Sequence, residues 1–418
     1  MLYSSAREVK MKTYLVGGAV RDMVLGKPPH DSDYVVFGAT PQEMEAKGFV
    51  RVGKDFPVFL HPQTHDEYAL ARKEVKTGNK HTDFEFVFGP DITPAEDMQR
   101  RDITCNALMY DKENDKIIDL VGGVADIQNR VIRHVNTEHF IEDPLRVLRM
   151  CRFAAKLDFE IAPETMKLAQ DMTKTGMLNH LTPERIWKEI DTALNTEHFD
   201  KFIRTMRECG ALKVILPEVN KLWDMPERTD YHPEGNSGEH TMLVLQQGYN
   251  LSPKIKFALL LHDIGKIDTP ADILPQHIGH DKAGLPRINE ICDRLRVPNK
   301  YRDFALLVAE NHMKFHSVPA MRKGRFVSFL EKLTDNFRNG KQMIDFMRAC
   351  KCDSFGRGTS AEANAAENEE IFVAARRCLH NYRIQRAVKA EAMPNFENLP
   401  KDKTFKDRLL QFRAKQII

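Results

Sequence analysis

Residues 30–37 read HDSDYVVF. Two acids, Asp31 and Asp33, stand one residue apart where the chain passes from polar to β-branched and aromatic residues. Side chains two apart on a strand point the same way, so the spacing predicts a carboxylate pair on one face of a strand's mouth. Both acids are ionised at neutral pH, and like charges that close repel unless a cation lies between them. A hard divalent cation takes oxygen ligands of this kind and bridges them to substrate phosphates. An isolated acid pair more often marks a solvated turn, so the surrounding sequence decides.

Upstream, YLVGG (14–18) reads as a strand ending in a turn, and AVRDMVLG (19–26) as a short helix closed by Gly26. A turn at Gly17 and Gly18 lets backbone N–H groups approach a phosphate, with Arg21 one helical step further on. No GxxxxGK[ST] follows, which excludes a Walker A loop. A phosphate-binding turn followed closely by paired acids points to Mg²⁺ held by Asp31 and Asp33. Two such ions activate an attacking hydroxyl and stabilise departing pyrophosphate. Glu67, which opens the strand-like EYALAR (67–72), is a candidate third carboxylate.

The remainder of the chain bounds this reading. A length of 418 residues allows two or more cores. Apolar content of 42% with 29% charged residues describes a soluble globular protein, and no run approaches the ~20 apolar residues of a membrane span. The N-terminus MLYSSAREVK lacks the apolar core of a secretory signal, and Met11 is a second candidate start. Seven scattered cysteines form no CxxC pair, which argues against a zinc ribbon or disulfide framework and for a reducing cytoplasm. The net charge of +2 neither requires nor excludes nucleic acid, but residues 371–418 carry eleven Lys or Arg against four Asp or Glu.

The first 130 or so residues mix strand and helix signals, whereas beyond about residue 141 apolar residues recur three and four apart. In HLTPERIWKEI, Thr182 reads as an N-cap and Pro183 as the first helical position. MPERTDYHPEGNSG (225–238) reads as a linker, and DSFGRGTSAEANAAENEE (353–370) as a second soft region. EDPLRVLRMCR (142–152) predicts a helix with Pro144 first and Asp143 as its N-cap; Arg146, Arg149 and Arg152 follow at steps of three on one stripe. A carboxylate beside a guanidinium matches the amino donor and ring-nitrogen acceptor that cytosine and adenine share, and leaves both groups unpaired against uracil or guanine.

LVGGAVRDMVLG, HDSDYVV, RRDITCNAL (100–108) and EDPLRVLRMCRF come in the order seen in tRNA nucleotidyltransferases. The chain resembles the bacterial class II CCA-adding enzymes of that superfamily, which includes DNA polymerase beta. The resemblance implies an α+β fold: a small polymerase-beta-like nucleotidyltransferase head followed by a mostly α-helical neck, body and tail. It implies a reaction in which the 3′-hydroxyl of tRNA attacks the α-phosphate of CTP or ATP until C, C and A have been added. It also implies that Gly18, Arg21, Arg101, Arg149 and Arg152 bind the nucleotide, and that Asp143 and Arg146 read its base. The tRNA is expected to lie along the helical body by shape and phosphate contacts.

A second motif lies in LLLHDIGK (259–266), where an apolar helical run ends in His262–Asp263. His240 precedes it in GEHTMLVL, and His277, His280 and His312 follow. The pattern resembles the HD metal-dependent phosphohydrolases, in which imidazoles and aspartate hold a divalent ion that activates water. The candidate ligands are His240, His262, Asp263, His280 and His312, with Lys266 set to complement substrate phosphate. A head joined to an HD domain is the arrangement of the multifunctional CCA proteins of some bacteria. That implies phosphatase, 2′-nucleotidase and 2′,3′-cyclic phosphodiesterase activities supported by a transition metal such as Ni²⁺. One departure stands out: relatives carry a final aspartate after the histidine matching His312, and here Met313 occupies that place. Either another carboxylate such as Asp303 substitutes, or the HD site is weakened or specialised.

The expected divisions are an extension over 1–10, the head over 11–140, a base-reading neck over 141–226, an HD domain over 227–352 and a basic helical tail over 353–418. Other readings are a poly(A) polymerase of the same family, a CC-only or A-only adding enzyme, and a regulator with a dead head. The HD segment weighs against the first, and the intact acid pair and arginine stripe against the last. The sequence leaves monomer or homodimer open.

Overall fold

The computed structural model describes residues 11–29, 32–52, 58–76, 84–230, 232–335, 338–358, 361–388, 392–394 and 405–416. It divides into two compact units, one comprising residues 1–181 with 208–211, the other 182–207 with 212–418. The division falls at Leu181, within the segment expected as a neck.

The first unit is built on a seven-stranded sheet. Its order is Val50–Val52, Val58–Leu60, Glu67–Leu70, Asp33–Phe37, Lys12–Val16, Met109–Asp111 and Lys116–Ile118. The central Asp33–Phe37 strand reads as a continuous apolar run because both its faces are covered. Val35 and Phe37 pack with Tyr14, Val16, Met98 and Met109 on one side, while Val36 packs with Met44, Phe59 and Leu70 on the other. Strand alternation puts Asp33 on the Val35 side, the face that Met98 of the Pro94–Gln99 helix covers. The Lys12–Val16 strand hands over to the Gly18–Val24 helix through Gly17, whose φ of +70° favours glycine. Further helices follow at Thr137–Glu142, Leu145–Leu157 and Pro163–Lys174.

The second unit is helical. Thr182 stands at the N-cap of the Pro183–Leu194 helix with Pro183 first, as the sequence predicts. The Pro253–Leu261 helix is buried from Ile255 to Leu261, so it runs through the core and delivers His262 and Asp263 at its end. A Cβ at Gly265 would lie 2.1 Å from the carbonyl oxygen of His280. Glycine is therefore what lets the HDIG turn press against the start of the His280–Arg294 helix. The Asn299–His316, Lys323–Leu333 and Gly340–Phe355 helices complete this core.

Both polar stretches behave differently from their expectation. Residues 225–238 are not a free linker: Glu227 N donates to Gly235 O and Ser237 N to Met225 O, folding the stretch into a hairpin-like turn with Glu227 inside. Residues 353–370 are largely helical, with one helix reaching Phe355 and the next running Ala361–Ala387. Alanine and glutamate are strong helix formers, and that propensity outweighs the polar composition. All seven cysteines are buried thiols, and no helix among the described residues is long and apolar enough to cross a membrane.

Candidate functional sites

In the first unit, Asp33 pairs in register with Glu67 across a parallel strand pair and with Val16 across an antiparallel one. The two carboxylates therefore stand side by side where these two interior strands begin. They share a cavity of about 190 Å³ with Arg100, Arg101, Tyr34 and Ala69. Asp31 lies outside the described residues. The Pro94–Gln99 helix, opened by a Thr93–Glu96 capping box, carries Asp97 into the interior. Asp97 binds Arg100 through Oδ1 and Arg101 through Oδ2, the latter at 3.0 Å. Burial by itself would raise the Asp97 pKa, but Arg101 and Arg100 outweigh it and hold the carboxyl below its ordinary range. Arg101 also donates to Asn106 O at 3.3 Å and lies beside the Gly17 turn.

Arg21 departs from the expectation of an open phosphate ligand. It is only 2% exposed, donating to Asn106 Oδ1 at 2.7 Å and to Asp22 Oδ1 at 2.8 Å. Its guanidinium packs over Gly18, where a Cβ would meet Nη2 at 3.4 Å. Arg21 thus braces the glycine turn from within.

Asp143 accepts from Leu145 N at 3.1 Å just before the Leu145–Leu157 helix, whose N-cap is Pro144, one residue later than the sequence predicts. Arg146 donates to His139 O at 2.6 Å and to Arg100 O at 2.9 Å, so two of its N–H groups serve backbone carbonyls. Arg149 forks onto Asp102 at 2.6 and 2.8 Å. Burial raises the Asp102 pKa, and Arg149 more than reverses this. Arg152 is mostly buried with its guanidinium 4.3 Å from the Phe153 ring centroid. The predicted stripe is present, and most of its charge is already oriented by neighbours.

In the second unit, His240, His262, Asp263, His280 and His312 come together, and all five are buried. A sixth member was not foreseen. Asp353, near the end of the Gly340–Phe355 helix, puts Oδ1 3.1 Å from His240 Nε2 and 3.5 Å from His262 Nε2. Asp353, and not Asp303, is thus the further carboxylate beside these histidines. Asp303 is exposed and stands near Cys292 instead. Asp263 faces the other way as well: its Oδ1 lies 3.2 Å from His280 Nε2 and 3.4 Å from His312 Nε2. Two donor groups therefore meet at the HD pair: His240, His262 and Asp353 on one side, Asp263, His280 and His312 on the other.

The histidines are presented uniformly. Nδ1 of His262, His280 and His312 donates to a backbone carbonyl, at 2.7 Å to Leu259, 2.6 Å to His277 and 2.9 Å to Ala309. Nδ1 of His240 instead donates to Glu234 Oε1 at 3.0 Å, an oxygen that His232 Nδ1 shares at 2.9 Å. Glu234 Oε2 accepts from Gly358 N at 3.1 Å. Burial would raise the Glu234 pKa, but these hydrogen bonds hold it well below its ordinary range, so the carboxylate is ionised and each Nδ1 carries a proton. Every Nε2 then points inward, the arrangement of a metal-binding imidazole whose outer nitrogen is fixed by a partner.

The inward atoms call for positive charge. His280 Nε2 and His312 Nε2 face each other at 3.3 Å, and His262 Nε2 is buried with no hydrogen-bond partner. Burial alone lowers the His262 pKa, yet Asp263 and Asp353 push it up to about 10, so the carboxylates demand a cation at that nitrogen. A divalent ion meets that demand with the nitrogen and oxygen donors present. Lys266 is less available than expected: its ammonium sits 2.7 Å from Asp263 Oδ2 and 2.6 Å from Glu227 Oε1. Glu227, His232, Glu234 and Arg357 also border the site or its cavity and were not foreseen. The PEG and SFGRG composition around them signals turns rather than ligands, and no local pattern marks them.

Comparison with known proteins accords with this geometry. Residues 13–133 match the family model described as "Poly A polymerase head domain". Residues 158–222 match "Probable RNA and SrmB- binding site of polymerase A", and 238–341 match the HD domain. The chain is 43% identical over 412 residues to the multifunctional CCA protein of Acinetobacter baumannii strain AYE, covering 97% of each chain. The protein of strain SDF gives the same identity and coverage. Among solved structures, the Bacillus stearothermophilus CCA-adding enzyme in complex with CTP gives a TM-score of 0.62 at 21% identity, covering 97% of this chain and 89% of the other. The Thermotoga maritima CCA-adding enzyme complexed with tRNA gives 0.61 at 20%, covering 98% and 88%. These likenesses establish the fold as that of CCA-adding enzymes, a polymerase-type head followed by a helical body. With relatives this similar along nearly the whole length, the chain belongs to the multifunctional CCA protein family.

Proposed function

We propose that the chain adds C, C and A to the 3′ end of tRNA from CTP and ATP, and that its second unit hydrolyses phosphate esters. The pairing of Asp33 with Glu67 beside Arg100 and Arg101 carries the first activity. Asp33, with Asp31, would hold Mg²⁺, and Glu67 is the adjacent third carboxylate. Mg²⁺, when bound, supplies the charge that favours ionisation of the tRNA 3′-hydroxyl and release of pyrophosphate. Arg101, fixed by Asp97, directs its guanidinium toward the triphosphate, and the Gly18 turn allows close backbone approach. Arg149 and Arg152 are the further nucleotide contacts. Asp143 and Arg146 match the donor–acceptor edge common to cytosine and adenine. For Arg146 this reading requires exchanging its carbonyl partners for the base.

In the second unit His240, His262, Asp263, His280, His312 and Asp353 would hold a divalent transition metal, Ni²⁺ among them, since imidazole suits that ion. The convergence of inward Nε2 atoms on two carboxylates supports this reading. The ion, when bound, supplies Lewis acidity and an activated water for phosphatase, 2′-nucleotidase and 2′,3′-cyclic phosphodiesterase reactions. Glu227 and Asp263 hold Lys266 as a fixed positive charge at the cavity wall. Buried cysteine thiols fit a reducing cytoplasm.

The test is to incubate tRNA lacking its CCA with Mg²⁺ and all four NTPs and to sequence the product ends. Products ending in CCA and no longer are expected. A homopolymeric A tail would overturn the reading in favour of a poly(A) polymerase.

A further inference from the structure

Two large apolar side chains stand out over the second unit's cluster. Ile278 is 79% exposed and Met313 is 49% exposed, and both line the cavity that opens onto the histidines and aspartates. Single exposed apolar residues need no explanation, but two on one functional cavity do. We infer that Ile278 and Met313 form an apolar subsite that receives the base of a nucleotide whose phosphate meets the cluster. This rests on the hydrolase reading of that site.

Neither side chain is exposed through slackness of the chain. The turn carrying Ile278 is pinned on both sides. His277 bonds to Thr269 Oγ1 at 2.8 Å and to Pro226 O at 3.0 Å, and His280 Nδ1 donates to His277 O at 2.6 Å. Gly279, at φ +81°, turns the chain into the His280–Arg294 helix, leaving Ile278 held outward between two anchored histidines. Met313 directly follows His312, whose ring is fixed to Ala309 O, on the Asn299–His316 helix. The apolar pair is therefore presented rigidly, each member next to an anchored histidine.

The chemistry of the cavity selects the occupant. Its volume is about 470 Å³, inside the range of about 300–1,000 Å³ typical of small-molecule sites. On the hydrolase reading the cluster takes the phosphate, which leaves the apolar rim for whatever the phosphate is attached to. A simple sugar phosphate would leave that rim wet, whereas a nucleobase brings a flat apolar face. A protein partner needs roughly 800 Å² per side, far beyond two side chains. Thioethers make favourable contacts with ring edges and faces. Because apolar contact reads no hydrogen-bond pattern, the subsite accepts all four bases.

The test compares nucleoside 2′-phosphates with glycerol 2-phosphate, a secondary phosphate ester without a base, on the full chain loaded with Ni²⁺. The wild type is expected to show a lower KM for all four 2′-nucleotides than for glycerol 2-phosphate. Ile278→Ser with Met313→Ser should raise the 2′-AMP KM about tenfold, about 1.4 kcal/mol, with kcat kept, while the glycerol 2-phosphate KM moves less than twofold. Ile278→Leu with Met313→Leu should restore the low KM. In saturation-transfer NMR on the same samples, the adenine H2 and H8 signals of 2′-AMP should fade in the serine variant and persist in the leucine one. Equal wild-type KM values for 2′-AMP and glycerol 2-phosphate would overturn the subsite while leaving the hydrolase reading intact. So would a parallel rise for both substrates in the serine variant. Hydrolysis of neither substrate by the wild type would instead refute the hydrolase reading, and the subsite with it.

Discussion

Replacing Glu234 with glutamine isolates the one cluster histidine that is oriented by a carboxylate. Glu234 accepts from His240 Nδ1 at 3.0 Å, His232 Nδ1 at 2.9 Å and Gly358 N at 3.1 Å. All three donors point at an anion. Glutamine offers one oxygen and one NH₂, so it meets either the imidazoles or the Gly358 N–H with a donor against a donor. Even in the better orientation, the bond to His240 changes from charge-assisted to neutral. Charged hydrogen bonds contribute about 1.5–3 kcal/mol and neutral ones about 0.5–1.5. The loss at His240 is therefore about 1–2 kcal/mol, or roughly 5- to 30-fold in metal affinity. That agrees with the 10- to 100-fold range for outer partners of metal-bound histidine. The assay is competition between the protein and a chromophoric chelator for Ni²⁺ or Co²⁺, with the Co²⁺ ligand-field spectrum as a second readout. Thermal melting of the metal-free variant controls for folding. An unchanged metal Kd and spectrum in a folded Glu234→Gln variant would refute the claim that this carboxylate prepares His240.

Asp353→Asn should abolish phosphate-ester hydrolysis and weaken metal binding, checked by the same competition assay; retention of both would return the acid role to another residue. Asp33→Ala should abolish nucleotide addition while ester hydrolysis persists, and loss of both in a folded variant would contradict two independent sites. Asp97→Asn leaves Arg100 and Arg101 without their buried counter-ion and should cost about 3 kcal/mol in urea unfolding, alongside slower nucleotide addition. The Asp97 carboxyl is depressed in the folded state. Its contribution should therefore be constant above the unfolded value near ~3.9 and shrink as pH falls below it. A wild-type-minus-variant difference that grows on acidification would refute the assignment.

Much of the first unit is legible in its sequence because each signal is local. The Gly17–Gly18 turn, the strand opened by Asp33 and the helix after Pro144 each declare themselves within a few residues. Less legible is how far neighbours occupy the arginines, since Asp97 with Arg100 and Arg101, or Asp102 with Arg149, is a fact of packing. Arg21 illustrates this: a motif arginine one turn past a glycine pair reads as a phosphate ligand, and its burial and its bonds to Asn106 and Asp22 are invisible in the motif. In the second unit, HD is a local signal, but Asp353 reaches it only because the Gly340–Phe355 helix packs beside the Ser237–Gln247 and Pro253–Leu261 helices. Composition misled twice, at the polar stretch that folds over the site and at the Ala/Glu-rich stretch that forms helix.

The acids that sequence reading passed over share a physical role. Asp97 grips Arg100 and Arg101, Asp102 grips Arg149, Glu227 grips Lys266, and Glu234 grips His240 and His232. In each case a buried or half-buried carboxylate meets the outer side of a cationic or imidazole group and so fixes the direction of its inner side. A long arginine or lysine left to itself loses rotamer entropy when it orders around a substrate. One already held by an acid has lost that freedom during folding. The cost appears as buried charge, which is tolerable only where hydrogen bonds are complete, and at Asp97 and Glu234 both carboxylate oxygens are engaged. Chemistry on phosphates needs positive charge and metal ligands at fixed positions, and both units meet that need with a second layer of negative charge behind the first.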